Sequence, residues 1–314
     1  MTVQEAKTFG KKELSFSSTP DLDLSVILQW ILKTDKTQLL LQRGKALTDE
    51  EEKLFLDSIQ KRKTGFPVAY ITGVKEFYGF DFKVTPDVLI PKPDTEILVD
   101  RALNYLGQIY SKIEKKEGLK EIPEICDMCS GSGCVGLSIL KSLKENDCIE
   151  AENLPKVVFA DISRKALDVA MENAEILLNG KNSTEYSKAK FYQSNLFENV
   201  LRKFNLIVTN PPYVPHFESI ELLADGRSEP LLALDGDVTE DGNFSGTNDG
   251  LFLIKRLIPA CFEHLEKGGM LLMETGEYNA EKTSVLFEKA GFVNVKIHFD
   301  LNEMMRVVQG EKPF

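Results

Sequence analysis

The chain of 314 residues sets 38 Lys and Arg against 49 Asp and Glu, a net charge of −11, which argues against a general nucleic-acid or membrane-surface binder and favours a basic partner. It is long enough for two domains with proper hydrophobic cores. Its five cysteines are an odd number in a chain too large to need covalent staples, which speaks against a disulfide framework and for a reducing compartment, and no apolar run approaches the roughly 20 residues that cross a bilayer.

The N-terminal stretch holds Glu5, Glu13, Asp21 and Asp23, no arginine in its first 30 residues and no apolar signal core, so no transit peptide is expected and a cytoplasmic location is. Leu24, Leu28 and Ile31 fall at helical spacing, and Thr48 with Glu51 forms a capping-box pattern ahead of Leu54, Phe55 and Ile59. These signals predict a small helical domain over residues 1–75, with Trp30 in its core and recognition as its role. In the linker over 76–100, Phe80, Phe82 and Val84 alternate after Gly79, which predicts a β-hairpin, and Pro91 and Pro93 stiffen its exit. A helix begins near Asp94, with Thr95 or Asp94 as N-cap.

A mixed-charge stretch, 112–120, then leads into a different pattern over 101–314. Strands are predicted near 124–129, 156–161, 189–193, 205–210, 269–275, 292–299 and 304–309, and helices near 134–146, 163–178, 249–266 and 278–290. Such alternation implies a parallel sheet covered on both faces.

The first strand of this region runs into Asp127, Met128, Cys129, Ser130, Gly131, Ser132 and Gly133, with Gly136 completing G-x-G-x-x-G and Asp161 one strand–helix–strand unit later. Two cofactors suit that pattern. A dinucleotide would place its pyrophosphate on the helix N-terminus. S-adenosylmethionine has no phosphate and would use the glycines only for close backbone approach. Asp127 favours the second, because it can face an ammonium or sulfonium but repels a pyrophosphate. Asp161 would then accept from the ribose hydroxyls, unless it merely caps the helix that follows. Cys126 and Cys129 lack a second pair at metal-binding spacing and the three histidines are scattered, so no metal is expected. After the third strand, Asn195 is a candidate for the adenine amine, with Leu196 or Phe197 against the ring.

Asn210-Pro211-Pro212-Tyr213 follows the apolar run Leu206-Ile207-Val208, where a buried strand ends. An amide or aromatic amine nitrogen is a poor nucleophile, since its lone pair is delocalised. Two acceptors that hold both its N–H bonds can aim the lone pair at a methyl sulfonium. The Asn210 side-chain oxygen and the Pro211 carbonyl are acceptors of that kind, Pro212 adds no N–H to disturb them, and Tyr213 offers a flat face for stacking. Glu218, Glu221, Asp225, Glu229, Asp235, Asp237, Glu240, Asp241 and Asp249 follow against the single Arg227. That acidity tilts the acceptor from a nucleobase toward a basic protein.

These residues resemble the HemK-type peptide chain release factor glutamine methyltransferases over nearly the whole length. The resemblance is carried by GFPVAYITGVKEFYGFDFKV, VLIPKPDTE, DMCSGSGCVGLSIL, FADIS, NPPYV, EPLLALDG followed by DGL, KGGMLLMETGEYNAE and the closing GF and RVV. It implies a seven-stranded class I S-adenosylmethionine methyltransferase (Rossmann-like) domain, preceded by the helical domain and hairpin. It also implies that Cys129 to Gly133, Asp161, Leu196 and Asn210 contact S-adenosylmethionine. Asn210 to Tyr213 would hold the glutamine of the Gly-Gly-Gln motif in a class-I release factor. The sequence departs from the family at Lys92, Asp94, Asn195, Asn279, the tail DLNEMMRVV and an insertion over Val238–Thr247. Methylation of a ribosomal-protein glutamine and a non-catalytic translation-factor binding module are the alternatives. A monomer without direct nucleic-acid contact is expected, in the mitochondrial matrix if the source is eukaryotic.

Overall fold

A computed structural model describes residues 1–114, 122–145, 149–224, 226 and 228–314. Most of the mixed-charge stretch, and Asp225 and Arg227 of the acidic segment, lie outside the described residues. The chain divides into two compact units, Met1–Val74 with Glu221–Ser228, and Lys75–Ile220 with Glu229–Phe314.

The first unit contains helices Val3–Glu13, Pro20–Leu32, Lys36–Leu41, Asp49–Lys63 and Val68–Thr72. Thr2 with Glu5 and Thr48 with Glu51 form reciprocal capping boxes, and Asp35 accepts from the Gln38 amide. Each satisfies helix N–H groups that would otherwise lack partners. Leu24, Ile27, Leu28, Phe55 and Ile59 are fully or almost fully buried in this unit's core. A Cβ on Gly10 would collide with Leu24, so glycine is what lets the first two helices approach. Trp30 is not in this core: it is 37% exposed. Leu24, Ile27, Leu28 and Ile31 take the inner face of their helix, which leaves Leu22, Val26 and Trp30 stacked at four-residue intervals on the outer one.

The second unit opens with the hairpin β1 (Val74–Phe77) and β2 (Phe80–Lys83). Tyr78 and Gly79 both take positive φ in its two-residue turn. Phe77 and Phe82 meet edge-to-face at 6.0 Å on the buried side. Neither Asp94 nor Thr95 caps the next helix through its side chain. A 3-10 turn, Pro93–Thr95, leads into helix Glu96–Glu114, and Glu96 reaches back to accept from the Tyr78 amide.

Seven strands follow: β3 (Glu124–Met128), β4 (Lys156–Asp161), β5 (Ala189–Gln193), β6 (Phe204–Thr209), β7 (Leu265–Glu274), β8 (Val293–Phe299) and β9 (Met305–Glu311), ordered β5-β4-β3-β6-β7-β9-β8. The sheet is mixed rather than wholly parallel, because β9 runs antiparallel to both β7 and β8. Only residues 300–304 join β8 to β9, far too few for the crossover that a parallel pair needs. Helices Cys134–Glu145 and Arg164–Leu177 pack on one face with Glu96–Glu114, and Phe252–His264 and Ala280–Ala290 on the other. Strand residues alternate between the two cores, Ile125 and Phe159 to one, Cys126 and Val158 to the other.

The register pairs Met128 with Thr209. The segments leaving β3 and β6 therefore start side by side at the carboxyl edge, where the strand order reverses, as expected of a ligand crevice in an open α/β sheet.

Candidate active site

Within the second unit, a cleft at this edge is lined by Asp127, Cys129, Ser130, Gly131, Ser132, Asp161, Asn195, Leu196, Asn210 and Pro212, together with Thr95 and Lys92. Gly133, Pro211 and Tyr213 are not among its lining residues.

The three glycines of the loop do different jobs. Gly131 has φ +53 with nothing near a would-be Cβ, so it supplies a left-handed turn and an open backbone. A Cβ on Gly133 would lie 3.2 Å from Ala170 and Leu137, and one on Gly136 would lie 2.5 Å from the Phe159 ring and 3.0 Å from Asp127. Those two press helix Cys134–Glu145 onto its neighbours. Cys129 and Leu196, both lining the cleft, also hold positive φ, +60 and +50, a conformation that costs a residue with a side chain about 1–2 kcal/mol.

Asp127 is 2% exposed and its Oδ2 accepts from the Gly136 amide at 2.8 Å. Burial pushes its carboxyl up to about 8; the Gly136 N–H opposes this and the Asp161 charge adds to it. Asp161 accepts from the Gly131 amide through Oδ2 and from the Ser163 amide through Oδ1, each at 2.9 Å, and burial raises its pKa. The helix cap is Ser163 itself, which accepts from the Ala166 amide, so Asp161 ties the glycine loop to β4. Asn195 donates to Glu198 at 3.0 Å. Leu196 lines the cleft, whereas Phe197 stacks on His264 at 4.2 Å in the core behind it.

The residues present fit a cationic, hydroxyl-bearing ligand without phosphate. Two carboxyl groups, Asp127 and Asp161, flank the glycine loop, and the buried Ser130 hydroxyl has no hydrogen-bond partner among the described residues. The described cations that line the cleft, Lys92 and Arg256, are engaged by Glu229 at 2.8 Å and Glu240 at 3.3 Å. A pyrophosphate would meet two carboxyl groups there and no unpaired cation among the described residues.

Asn210 donates from Nδ2 to Thr95 Oγ1 at 3.2 Å. Pro211 is buried. Tyr213 donates its hydroxyl to Glu274 at 3.1 Å, and its carbonyl accepts from Tyr278 and Asn279 at 3.2 and 3.3 Å. Val214 then pairs with Leu234 and Gly236 through main-chain bonds of 3.0 and 2.9 Å. The tetrapeptide is thus clamped along its length. Thr95 and Glu274 escape a motif-based reading; the available signal is an acid at the carboxyl end of β7, next to β6.

The acidic segment is not simply a solvated face. Asp235 and Asp237 are fully buried and Glu229 is 6% exposed, while Glu218, Glu221, Glu240 and Asp241 stay exposed. Asp235 accepts from the Asp237 amide and pairs with His216 Nδ1 at 2.6 Å; Asp237 accepts from the Gly250 amide and the Thr247 hydroxyl. A turn-rich segment has few side chains to bury, and carboxylates bind its free amides instead. His216, stacked on Phe244 at 4.4 Å, belongs to this loop and not to the cleft lining.

Residues 5–73 match the model of the PrmC N-terminal domain, and residues 110–225 that of the methyltransferase small domain. A release factor glutamine methyltransferase of Clostridium acetobutylicum is 33% identical, covering 91% of this chain and 89% of its own. One from Koribacter versatilis is also 33% identical, over 100% of this chain and 99% of its own. Among solved structures, a T. thermophilus 16S rRNA N2 G1207 methyltransferase is 16% identical, with a TM-score of 0.47 over 76% of this chain and 49% of that one.

Proposed function

Since the chain belongs to the release factor glutamine methyltransferases, we propose that it methylates the side-chain amide nitrogen of the glutamine in the Gly-Gly-Gln motif of a class-I peptide chain release factor. The observation that carries this reading is the adjacency of two half-sites at neighbouring strand ends, fixed by the Met128–Thr209 pairing.

In this reading Asp127, Cys129 to Gly133 and Asp161 hold S-adenosylmethionine, with Asn195 and Leu196 at the adenine. When bound there, it supplies an electrophilic methyl group. Asp127 offers its negative charge to the cationic end, and Asp161 keeps lone pairs for hydroxyls beyond those taken by Gly131 and Ser163. The Asn210 side-chain oxygen and the Pro211 carbonyl accept the two amide hydrogens of the substrate glutamine, turning its nitrogen lone pair to the donor. Tyr213 packs the planar amide. Such catalysis is orientation and electrostatics, and the acidic N-methylated product cation sheds its proton without a dedicated base.

The helical domain over residues 1–75 serves recognition, and 76–100 links it to the catalytic domain. The protein acts as a cytoplasmic monomer on a protein, without direct nucleic-acid contact, and in the mitochondrial matrix if eukaryotic. Methyl transfer from labelled S-adenosylmethionine to purified release factor tests this. Labelling is expected with the natural factor and absent when its motif glutamine is replaced. Labelling of a large-subunit ribosomal protein alone, or full transfer by Asn210→Ala, would overturn it.

A further inference from the structure

The insertion over 238–247 is tied to the Asn210–Tyr213 tetrapeptide through side chains and main chain alike. Val238 bridges Phe244 in antiparallel fashion, and the Thr239 amide closes the turn between them on the Asn243 carbonyl at 2.8 Å. Val238 lies in the lining of the cleft, and Phe244, at the other end of the turn, stacks on His216 at 4.4 Å. His216 stands three residues past Tyr213, and its Nδ1 is held by the fully buried Asp235 at 2.6 Å. Val214 is bonded to Leu234 through its amide and to Gly236 through its carbonyl. Insertion and tetrapeptide are thus fixed to one frame.

What this frame presents to solvent is aromatic. Phe217 is 59% exposed and Phe244 45%, with their ring centroids 5.9 Å apart. Single exposed apolar residues need no explanation, but an adjacent pair with charge of one sign beside it marks an interaction site. Glu218 follows Phe217, and Asp241 lies in the turn that carries Phe244; both are exposed and have no ion-pair partner among the described residues. Lys255 and Arg256, which reach this segment, are taken by Asp249 at 2.9 Å and Glu240 at 3.3 Å. The faces of aromatic rings carry negative partial charge, and carboxylates beside them add to it, so the pair attracts a cation. A phosphate-bearing ligand would meet the wrong sign, and a purely apolar one would cover Glu218 and Asp241 without pairing them.

Resting on the methyl-transfer reading above, we propose that Phe217 and Phe244 form a subsite for a cationic side chain, lysine or arginine, of the release factor, beside the glutamine that reacts. Phe217 is four residues past Tyr213, so its backbone stands at most about 14 Å from that of the tetrapeptide. The bound cation therefore belongs to a residue near the glutamine in the folded factor. The insertion supplies one ring of the pair, which makes the subsite a property of this chain and not of the tetrapeptide. Its contribution is to the hold on the protein substrate, separate from the contacts that aim the amide nitrogen.

The test measures kcat and KM of wild type, Phe217→Leu and Phe244→Leu on purified release factor, and on factor in which each surface Lys and Arg near the motif glutamine is replaced in turn by Gln. Leucine keeps the apolar bulk and removes the ring face. Both variants are expected to raise KM about 5- to 30-fold, the range of a partly desolvated cation–aromatic contact, with S-adenosylmethionine affinity by calorimetry and the unfolding midpoint as in wild type. One of the substrate replacements should raise KM by the same factor with wild type and add nothing further with the leucine variants, the non-additivity of a shared contact. Leucine variants with wild-type KM would overturn the inference. So would losses that simply add for every substrate replacement, since those describe an apolar contact. Should a leucine variant unfold, the substrate series on wild type decides, and a series in which no replacement raises KM by about threefold or more sinks the proposal. Absence of transfer by wild type to unaltered factor would instead remove the functional reading, and the subsite with it.

Discussion

Replacing Asp127 by asparagine should stabilise the ligand-free protein while weakening its hold on the cofactor. The carboxyl is 2% exposed and its pKa rises from the ordinary 3.8 to about 8. A raised carboxyl pKa means that the folded state prefers the proton. Its contribution to stability is therefore fully present below about pH 4 and is lost progressively as pH rises toward 8. Three pKa units separate 3.8 from neutrality, which at about 1.4 kcal/mol each makes roughly 4 kcal/mol at pH 7. Asparagine keeps the oxygen that accepts from Gly136 and has no proton to lose. Urea unfolding of both proteins should show curves that coincide near pH 4 and separate by up to about 4 kcal/mol, asparagine the more stable, at pH 7. Binding of a cation should ionise Asp127, so wild type should release about 0.9 proton per cofactor at pH 7. Calorimetry in buffers of different ionisation enthalpy reads that number directly. The variant should release none and bind about 10- to 100-fold more weakly. Parallel stability curves, or equal affinity without proton release, would refute the reasoning.

Gly136→Ala gains about 1 kcal/mol of helix propensity but forces a methyl into Phe159, an overpacking that costs about 1–3 kcal/mol. Net destabilisation by urea and a several-fold loss of cofactor affinity are expected, because Asp127 lies 3.0 Å from the new methyl. Asp237→Ala removes the acceptor for Gly250 and Thr247. It should cost about 3 kcal/mol and speed proteolysis between residues 238 and 250. Glu240→Lys with Asp241→Lys should raise KM for release factor and flatten its salt dependence, with kcat unchanged. Stopped-time methylation at several ionic strengths measures both.

Most of the layered architecture was legible because period-two strands and capped helices leave local marks. The seven strands and four helices fall within a few residues of their predicted places. The antiparallel edge was also implicit in the short span before β9, although alternation alone suggested a uniform sheet. Trp30 was misplaced because aromatic burial is a habit of composition, whereas the inner helix face was already filled by Leu24, Ile27, Leu28 and Ile31. The cleft residues carried by motifs were readable where the motif is a backbone device, as with Gly131. Roles set by tertiary contact were not: Gly133 faces a neighbouring helix, Asp161 binds the glycine loop, and Thr95 and Glu274 reach the site from 115 and 61 residues away from their partners. Likewise, no charge count reveals that Asp235 and Asp237 are interior loop anchors rather than surface.

The pairing of Met128 with Thr209 gives the site an unusual division of labour. The ends of β3 and β6, from which the two proposed half-sites leave, stand one strand spacing apart, about 4.8 Å, a distance set by the sheet pairing and not by loop length. Loops can therefore be traded without moving the reaction axis. A transplant of another sequence over 238–247, anchored by the same Asp237 and Gly250, would change which surface is admitted while leaving donor and acceptor aligned. For protein engineers, the edge of this sheet is an optical bench on which only the outer aperture need be exchanged.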